Sequence, residues 1–210
     1  MFIFEISLEI KNTQNKEEII NNLWTFSASL LHNGQILQSI DIISENKNKI
    51  FIIVLCPEML SLNNKFSNKY VISSLNELEK SADTNIEIKF IGKDAEISSD
   101  KDIECCNKTN YYILFNHYFK KQSPVSCGNC FKPIPIYKIC KEKNLGILAW
   151  QENYKACDWL QLGSTVGKKF GLNEMSNFDT KLTKEGLEVC KNIEEIKKSK
   201  ITKKVFNSFS

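Results

Sequence analysis

The sequence predicts an α+β protein in two parts, a domain over residues 1–110 and a smaller α/β module with several cysteines over residues 111–210. Three observations support this prediction. Strand and helix patterns alternate through the first part, whereas the second part holds three of the four prolines and six of the eight glycines. The first part has 11 Lys against 16 Asp and Glu, a net charge of −5, and the second has 17 Lys against 9, a net charge of +8.

Each element of the first part has its own pattern. Residues 2–10 alternate apolar side chains with Glu5, Ser7 and Glu9, which is the period-two pattern of a half-buried strand. Apolar residues at helical spacing follow over residues 15–34, a stretch that ends in Asn-Gly. The remaining elements are predicted as strands at 36–44, 50–56 and 85–92 and an amphipathic helix at 68–81. The order β-α-β-β-α-β predicts a ferredoxin-like fold, in which two helices pack on one face of an antiparallel sheet.

The elements of the second part are shorter and are separated by proline and glycine. Residues 111–119 are predicted to form a strand that leads out of the first domain, and residues 146–150 a short strand. A helix is predicted over residues 151–163, where a glycine ends it. A last helix is predicted over residues 183–200, with Thr183 as its N-cap and lysines in its last turn, which the helix dipole favours.

The positive charge is carried entirely by lysine, because the 28 basic residues include no arginine. Arginine makes the commonest bidentate contact to guanine and stacks well on bases. Lysine alone can still hold phosphates. Any nucleic-acid binding by the basic second part is therefore expected to be mostly electrostatic or directed at single strands, and sequence-specific reading of a groove is disfavoured.

Several functional classes are disfavoured by missing patterns. The two histidines, His32 and His117, do not belong to a recognisable nucleophile motif, so no enzymatic activity is predicted. The segment GSTVGKKF at 163–170 has three residues between its glycines, whereas a phosphate-binding loop has four, so nucleotide binding there is disfavoured. The N-terminal apolar run contains two glutamates and no basic leader, and no stretch approaches the roughly 18 apolar residues of a membrane helix. A cytoplasmic protein with no membrane partner is therefore expected.

Two cysteines, Cys127 and Cys130, lie two residues apart in the stretch SPVSCGNCFKPIP. A disulfide is disfavoured because cytoplasmic thiols stay reduced. A thioredoxin-like dithiol would open a helix, but Pro133 and Pro135 prevent a helix over the residues that follow. The remaining interpretation is a turn that binds a metal ion through both thiolates.

A metal-binding turn has suitable residues in this stretch. Gly128 and Asn129 tolerate a positive φ angle between the two cysteines, whose spacing is that of tetrahedral zinc sites. Zinc is therefore the expected cofactor. The candidates for its other ligands are Cys140, Cys157 and His117, each of which also has a purely structural explanation. Of the remaining cysteines, Cys56 and Cys190 are assigned to core packing, and Cys105 and Cys106 have no assigned role.

Three segments of the second part resemble a known family. They are SPVSCGNCFKPIPIYKI, ILAWQENYKACDWLQLG and FGLNEMSNFDTKLTKEGLEVCKNIEEI, within about residues 111–198. They are similar to uncharacterised bacterial proteins described as containing a zinc ribbon, for which nucleic-acid binding is suggested. The resemblance implies a metal-binding role for Cys127 and Cys130, with Cys157 as a further candidate. It also implies that related chains continue with further paired cysteines. This chain has ITKKVFNSFS there instead. We therefore expect either a shortened version of the family or a metal site that a partner chain completes.

Zinc-supported, mostly electrostatic binding of single-stranded nucleic acid is therefore the leading functional hypothesis. Lys168 and Lys169 are the candidates for phosphate contacts. Trp150 and Tyr154 share one helix face and are either core residues or a platform on which bases stack. The alternative hypothesis is a protein-binding module, such as an inhibitor or immunity-type protein, which would bind through an exposed sheet edge.

Overall fold

The computed structural model of the protein describes residues 1–11, 15–40, 43–45, 48–94, 105–106, 111–140, 146–197 and 200–203. The chain forms two compact units, Met1–Asp102 and Ile103–Ser210. Both units contain helices and strands, so the predicted α+β class is confirmed. Among the described residues, no helix combines the length and the apolar character needed to cross a membrane.

The part of the first unit that the structure describes contains two long helices and an antiparallel sheet. Its elements are β1 (Phe2–Glu9), α1 (Lys16–Asn33), β2 (Gln38–Ser39), β3 (Ile43–Glu45), β4 (Lys49–Cys56), a short 3-10 helix (Asn64–Phe66), α2 (Lys69–Ala82) and β5 (Glu87–Lys93). The strands follow the order β2-β4-β1-β5, and β3 pairs with a further part of β4. The strand predicted at 36–44 is thus two short strands, because they pair with successive parts of β4.

The core of the first unit lies between one sheet face and the two helices. Phe4, Ile6 and Leu8 alternate along β1 and are buried. They belong to the same apolar cluster as Leu23 of α1 and Leu78 of α2, both completely buried. The period-two and helical patterns of the sequence therefore mark the residues that the fold buries.

The described residues of the second unit form a small sheet and four helices. Its elements are β6 (Tyr111–Leu114), β7 (Val125–Cys127), α3 (Ile136–Ile139), α4 (Ile147–Gly163), α5 (Lys168–Ser176), α6 (Lys181–Lys197) and β8 (Lys200–Lys203). The strands follow the order β7-β6-β8, with β6 antiparallel to β7 and parallel to β8. Its own core includes Leu114, Val125, Ile147 and Ile193, so this unit buries an apolar cluster separate from that of the first unit.

Two strands predicted in the second unit differ from the structure. The short strand predicted at 146–150 is wrong, because α4 begins at Ile147, directly after Gly146 with φ 72°. A short apolar run fits the period of a strand and of a buried helix equally well, and here the helix continues to Gly163. The strand predicted at 111–119 is shorter than expected and ends at Leu114.

The last two helices also begin at positions that the sequence analysis did not assign. Helix α5 begins at Lys168 and so includes both lysines of the GSTVGKKF segment, for which the sequence analysis predicts no helix. Helix α6 begins at Lys181, so the assignment of Thr183 as N-cap is wrong. Thr180 takes that place, since its Oγ1 accepts the Thr183 N–H at 3.4 Å and its carbonyl oxygen accepts the Lys184 N–H at 3.1 Å.

Candidate metal centre

The β6–β7 hairpin positions the cysteine pair. Tyr112 pairs with Cys127 in the register of the two strands, so Cys127 ends β7 inside the sheet. The chain then turns back on itself. The Cys127 N–H donates to the Lys132 carbonyl oxygen, and the Phe131 N–H donates to the Cys127 carbonyl oxygen, both at 2.9 Å. These two bonds close a tight turn that carries Cys130.

Glycine is needed in this turn for space rather than for backbone conformation. The Gly128 N–H donates to the Tyr111 carbonyl oxygen at 2.9 Å. A Cβ on Gly128 would lie 2.4 Å from atoms of the Tyr111 ring. Gly128 and Asn129 tolerate a positive φ, but neither has one here, whereas Phe131 has φ 60°. The left-handed residue therefore follows the second cysteine rather than lying between the two.

Four thiols converge at this turn. The Sγ atoms of Cys105, Cys106, Cys127 and Cys130 all lie within 4.8 Å of one another. The Cys106–Cys127 and Cys105–Cys130 Sγ pairs are each 3.7 Å apart. Since a disulfide bond is about 2.0 Å long, these pairs are not disulfides, and their sulfur atoms lie at contact distance. A cluster of four close cysteines is able to hold a metal ion.

Backbone groups in the cluster favour a thiolate at Cys130. Hydrogen bonds from the backbone N–H groups of Cys106 and Lys132 lower the pKa of the Cys130 thiol. The thiolate is the form that binds metals. Beside it, the pKa of Tyr112 is raised by burial and by the negative charges that Cys105 and Cys127 would carry. The turn therefore stabilises negative charge on sulfur and disfavours it on the neighbouring phenol.

The structure brings together two of the three cysteines predicted as metal ligands. Cys127 and Cys130 lie in the cluster, whereas Cys157 lies in α4 within the core of the second unit. Burial, followed by the nearby Glu174, raises the pKa of Cys157. Cys140 follows α3 and is buried, with its pKa raised to about 11 by burial.

Cys105 and Cys106 are the members of the cluster that the sequence analysis missed. The sequence analysis predicts the further ligands among Cys140, Cys157 and His117. In the part of the chain that the structure describes, the cluster contains none of these three. The sequence does contain a signal for Cys105 and Cys106. The two adjacent cysteines upstream of the C-x-x-C pair bring the number of thiols to four, which is the number of ligands in a tetrahedral site.

The residues predicted to contact nucleic acid lie in two different environments. Lys168 and Lys169 open α5 and are exposed. Trp150 is 3% exposed, and its indole N–H donates to the Leu182 carbonyl oxygen at 3.2 Å. Tyr154 is half-buried against the Trp150 ring, and burial raises its pKa to about 12. The environment of Trp150 and Tyr154 corresponds to the core-packing alternative.

Other aromatic rings of the second unit are exposed. Trp159 is 49% exposed and stacks on Tyr118 with ring centroids 4.6 Å apart. Phe119, which is 77% exposed, packs edge-on against Tyr118 at 5.1 Å. The Tyr118 N–H donates to the Asp158 carboxylate at 2.6 Å, which holds this loop against α4. We refer to the rings of Tyr118, Phe119 and Trp159 as the aromatic cluster.

Comparison with known proteins gives a separate match for each unit. Residues 106–202 match the model of a family described as "Domain of unknown function (DUF2310)". Residues 1–92 match the model of "Domain of unknown function (DUF8589)". Neither description names a metal, a ligand or an activity.

Two Haemophilus influenzae proteins, both named "Uncharacterized protein", are similar to the chain. One is 32% identical over 145 residues, which cover 68% of this chain and 54% of the relative. The other is 31% identical over 110 residues, which cover 51% of this chain and 53% of the relative. The chain thus spans about half the length of the curated relatives that it matches. No solved structure matches it with a significant score.

Proposed function

We propose that the second unit binds one zinc ion through Cys105, Cys106, Cys127 and Cys130. The observation that carries this proposal is the mutual approach of the four Sγ atoms to within 4.8 Å. A zinc–sulfur bond is about 2.3 Å, so two sulfurs of a tetrahedral zinc site lie about 3.8 Å apart. The two Sγ distances of 3.7 Å have this length.

The donor set favours a structural ion. Four thiolates fill a tetrahedral zinc site and leave no open position for water or substrate, as catalytic zinc requires. The expected function of the ion is to fasten the Cys105–Cys106 segment to the hairpin of β6 and β7, whose strands are short. Iron also accepts four thiolates in this geometry, so the metal must be identified directly.

Elemental analysis of protein purified without chelator tests the proposal. We expect about one zinc per chain, in keeping with one four-ligand site. Cys106→Ser and Cys130→Ser should each reduce zinc by at least about tenfold at a fixed chelator concentration, because each removes a ligand. Cys56→Ser and Cys190→Ser are the controls, because both residues are buried thiols outside the cluster. Absence of metal in the parent, or equal metal in all variants, would contradict the proposal.

The aromatic cluster supports a second candidate function, the binding of single-stranded nucleic acid. Exposed aromatic rings are platforms on which bases of any sequence stack. Trp159, Tyr118 and Phe119 offer such rings on a unit with a predicted net charge of +8 over residues 111–210. The rings that carry this candidate are therefore not those of Trp150 and Tyr154. Lys168 and Lys169 remain the proposed phosphate contacts.

Binding of a labelled single-stranded oligonucleotide at several salt concentrations tests the second candidate. We expect affinity to fall as salt rises, with a shallower slope for Lys168→Ala/Lys169→Ala. Trp159→Ala should weaken binding about tenfold or more, since stacking contributes about 1–3 kcal/mol per base. The exposed Phe178→Ala, outside the aromatic cluster, is the control. Oligonucleotide binding that does not respond to salt or to Trp159→Ala would exclude this second candidate function.

Three further properties are proposed together with the metal site. The order β2-β4-β1-β5 and the two helices support a ferredoxin-like fold for the first unit. Four clustered cysteines that no disulfide joins support a reducing compartment such as the cytoplasm. A closed four-thiolate site supports a binding rather than an enzymatic role.

A further inference from the structure

Strand β5 has one edge that no other strand covers in the described part of the first unit. It ends the order β2-β4-β1-β5 and pairs with β1 along its inner edge. Its residues are exposed except for Gly92, which is half-buried. The edge of a strand presents a row of N–H and C=O groups that can pair with another strand. This edge is therefore a candidate interface.

The apolar side chains of β5 extend the core face of the sheet beyond the area that the unit buries. Ile88 pairs with Ile6, and Phe90 pairs with Phe4. Directly paired residues lie on the same face, so Ile88 and Phe90 share the face that packs against the helices. Ile6 is 0% and Phe4 6% exposed, but Ile88 and Phe90 are each 42% exposed. A further strand beside β5 would cover them.

The charges of β5 alternate with these apolar residues. Glu87 and Lys89 lie on the opposite face of the strand, and both side chains are exposed. The pairing with β1 is regular from Glu87 to Phe90, and the register shifts only after Phe90, where Ile91 is the extra residue. One regular segment thus carries an acid and a base on one face and two apolar residues on the other.

We propose that β5 pairs in antiparallel orientation with β5 of a second copy of this chain, about a two-fold axis at Ile88. In this register Ile88 faces the partner subunit's Ile88. Glu87 faces the partner subunit's Lys89, and Lys89 faces the partner subunit's Glu87. Ile86 faces the partner subunit's Phe90. Apolar side chains meet on one face and opposite charges meet on the other, so the segment is complementary to itself.

The same charges disfavour other pairings of this edge. An axis at Lys89 would place the two Lys89 side chains opposite each other. Parallel in-register strands would align Glu87 with Glu87 and Lys89 with Lys89, and like charges directly opposite are destabilising. Lysine and the bulge at Ile91 are features that limit pairing of an edge with arbitrary strands. A second copy in the antiparallel register satisfies both charges, which is why we select it as the occupant.

Sedimentation equilibrium of the whole chain in reducing buffer tests the proposal, which does not depend on the metal site. The parent is expected to dimerise reversibly. Glu87→Lys and Lys89→Glu should each raise the dimer dissociation constant about tenfold or more, because each makes both cross-strand charge pairs repulsive. The double variant Glu87→Lys/Lys89→Glu should restore the parent dissociation constant. An equal mixture of the two single variants should associate as well, because opposite charges then face each other between unlike chains.

The outcomes separate this dimer from the other occupants of the edge. Both substituted side chains are exposed, so the variants should keep the circular dichroism of the parent monomer. Lys89→Glu should lower its melting temperature slightly, because residue 89 lies opposite Glu5 of β1. A parent protein that stays monomeric up to a chain concentration of about 1 mM would overturn the proposal. A different protein would then be the candidate partner of this strand edge. A dimer that persists unchanged in both single variants would also overturn it, because the interface would then lie elsewhere.

Discussion

The ring of Tyr111 occupies the space in which a side chain at Gly128 would lie. A Cβ on Gly128 would approach ring atoms Cδ2 and Cε2 to 2.4 Å. The same two residues are joined by the 2.9 Å hydrogen bond from the Gly128 N–H to the Tyr111 carbonyl oxygen. Strand β6 therefore packs directly on the turn that holds Cys127 and Cys130, and it sets the position of both thiols.

Gly128→Ala is expected to disturb the cluster. The added methyl group must displace the Tyr111 ring or the turn, and overpacking of this kind costs about 1–3 kcal/mol. We expect zinc affinity, measured by competition with a chelating dye, to fall about tenfold, as a displaced ligand implies. The double variant Gly128→Ala/Tyr111→Ala should recover affinity, because it restores the space. Equal zinc affinity in Gly128→Ala and the parent would show that the ring does not set the turn.

Phe131→Gly is expected to stabilise the second unit. Phe131 has φ 60°, and this conformation costs a residue with a side chain about 1–2 kcal/mol that glycine avoids. The Phe131 side chain is 66% exposed, so little packing is lost. We expect the free energy of unfolding, measured with denaturant, to rise by about 1 kcal/mol. Phe119→Gly is the matched control, since Phe119 is also exposed but has no positive φ, and this change should be neutral or destabilising.

Gly171→Ala is expected to loosen the contact between α4 and α5. A Cβ on Gly171 would lie 2.4 Å from the Cys157 carbonyl oxygen, which belongs to the backbone of α4. Glycine to alanine usually favours a helix by about 1 kcal/mol. Here we expect destabilisation by about 1–3 kcal/mol instead, because one helix must shift. Thermal unfolding measures the sign, and Gly92→Ala, which meets nothing within 4 Å, is the control.

Lys120 is expected to make stability depend on pH. Burial lowers the pKa of Lys120 from 10.5 to about 8. Its Nζ donates to the Phe115 carbonyl oxygen at 3.1 Å. Between pH 8 and pH 10.5 the unfolded chain binds more protons at this residue than the folded chain does. The Lys120 contribution to the free energy of unfolding therefore rises with pH in this window, by at most about 3 kcal/mol, and is constant below it.

Denaturant unfolding of the parent and of Lys120→Met from pH 7 to pH 10.5 measures this dependence. The free energy of the parent should increase relative to that of Lys120→Met as the pH rises. Parallel pH profiles for the two proteins would mean that Lys120 keeps an ordinary pKa. Lys181→Met serves as the control for loss of a lysine whose side chain is mostly exposed.

Local patterns were sufficient for most of the first unit. The alternation along residues 2–10 predicts β1, and the helical spacing over residues 68–81 predicts α2, because each pattern states which face of one element is buried. The strand predicted at 146–150 is wrong, since the four apolar residues after Gly146 do not distinguish a strand from the first turn of α4. The environment of Trp150 likewise depended on packing against α6, through Leu182.

By itself the sequence determined the α+β class, the charge difference between the two parts and the Cys127–Cys130 pair, because each depends only on composition or on residues close together in the chain. Tertiary structure alone decided that Cys106 approaches Cys127 across 21 residues and that Cys105 approaches Cys130 across 25. No local periodicity records such a contact, which arises where the turn that follows β7 meets an upstream segment. The exposure of Ile88 and Phe90 was decided in the same way, by the place of β5 at the edge of its sheet.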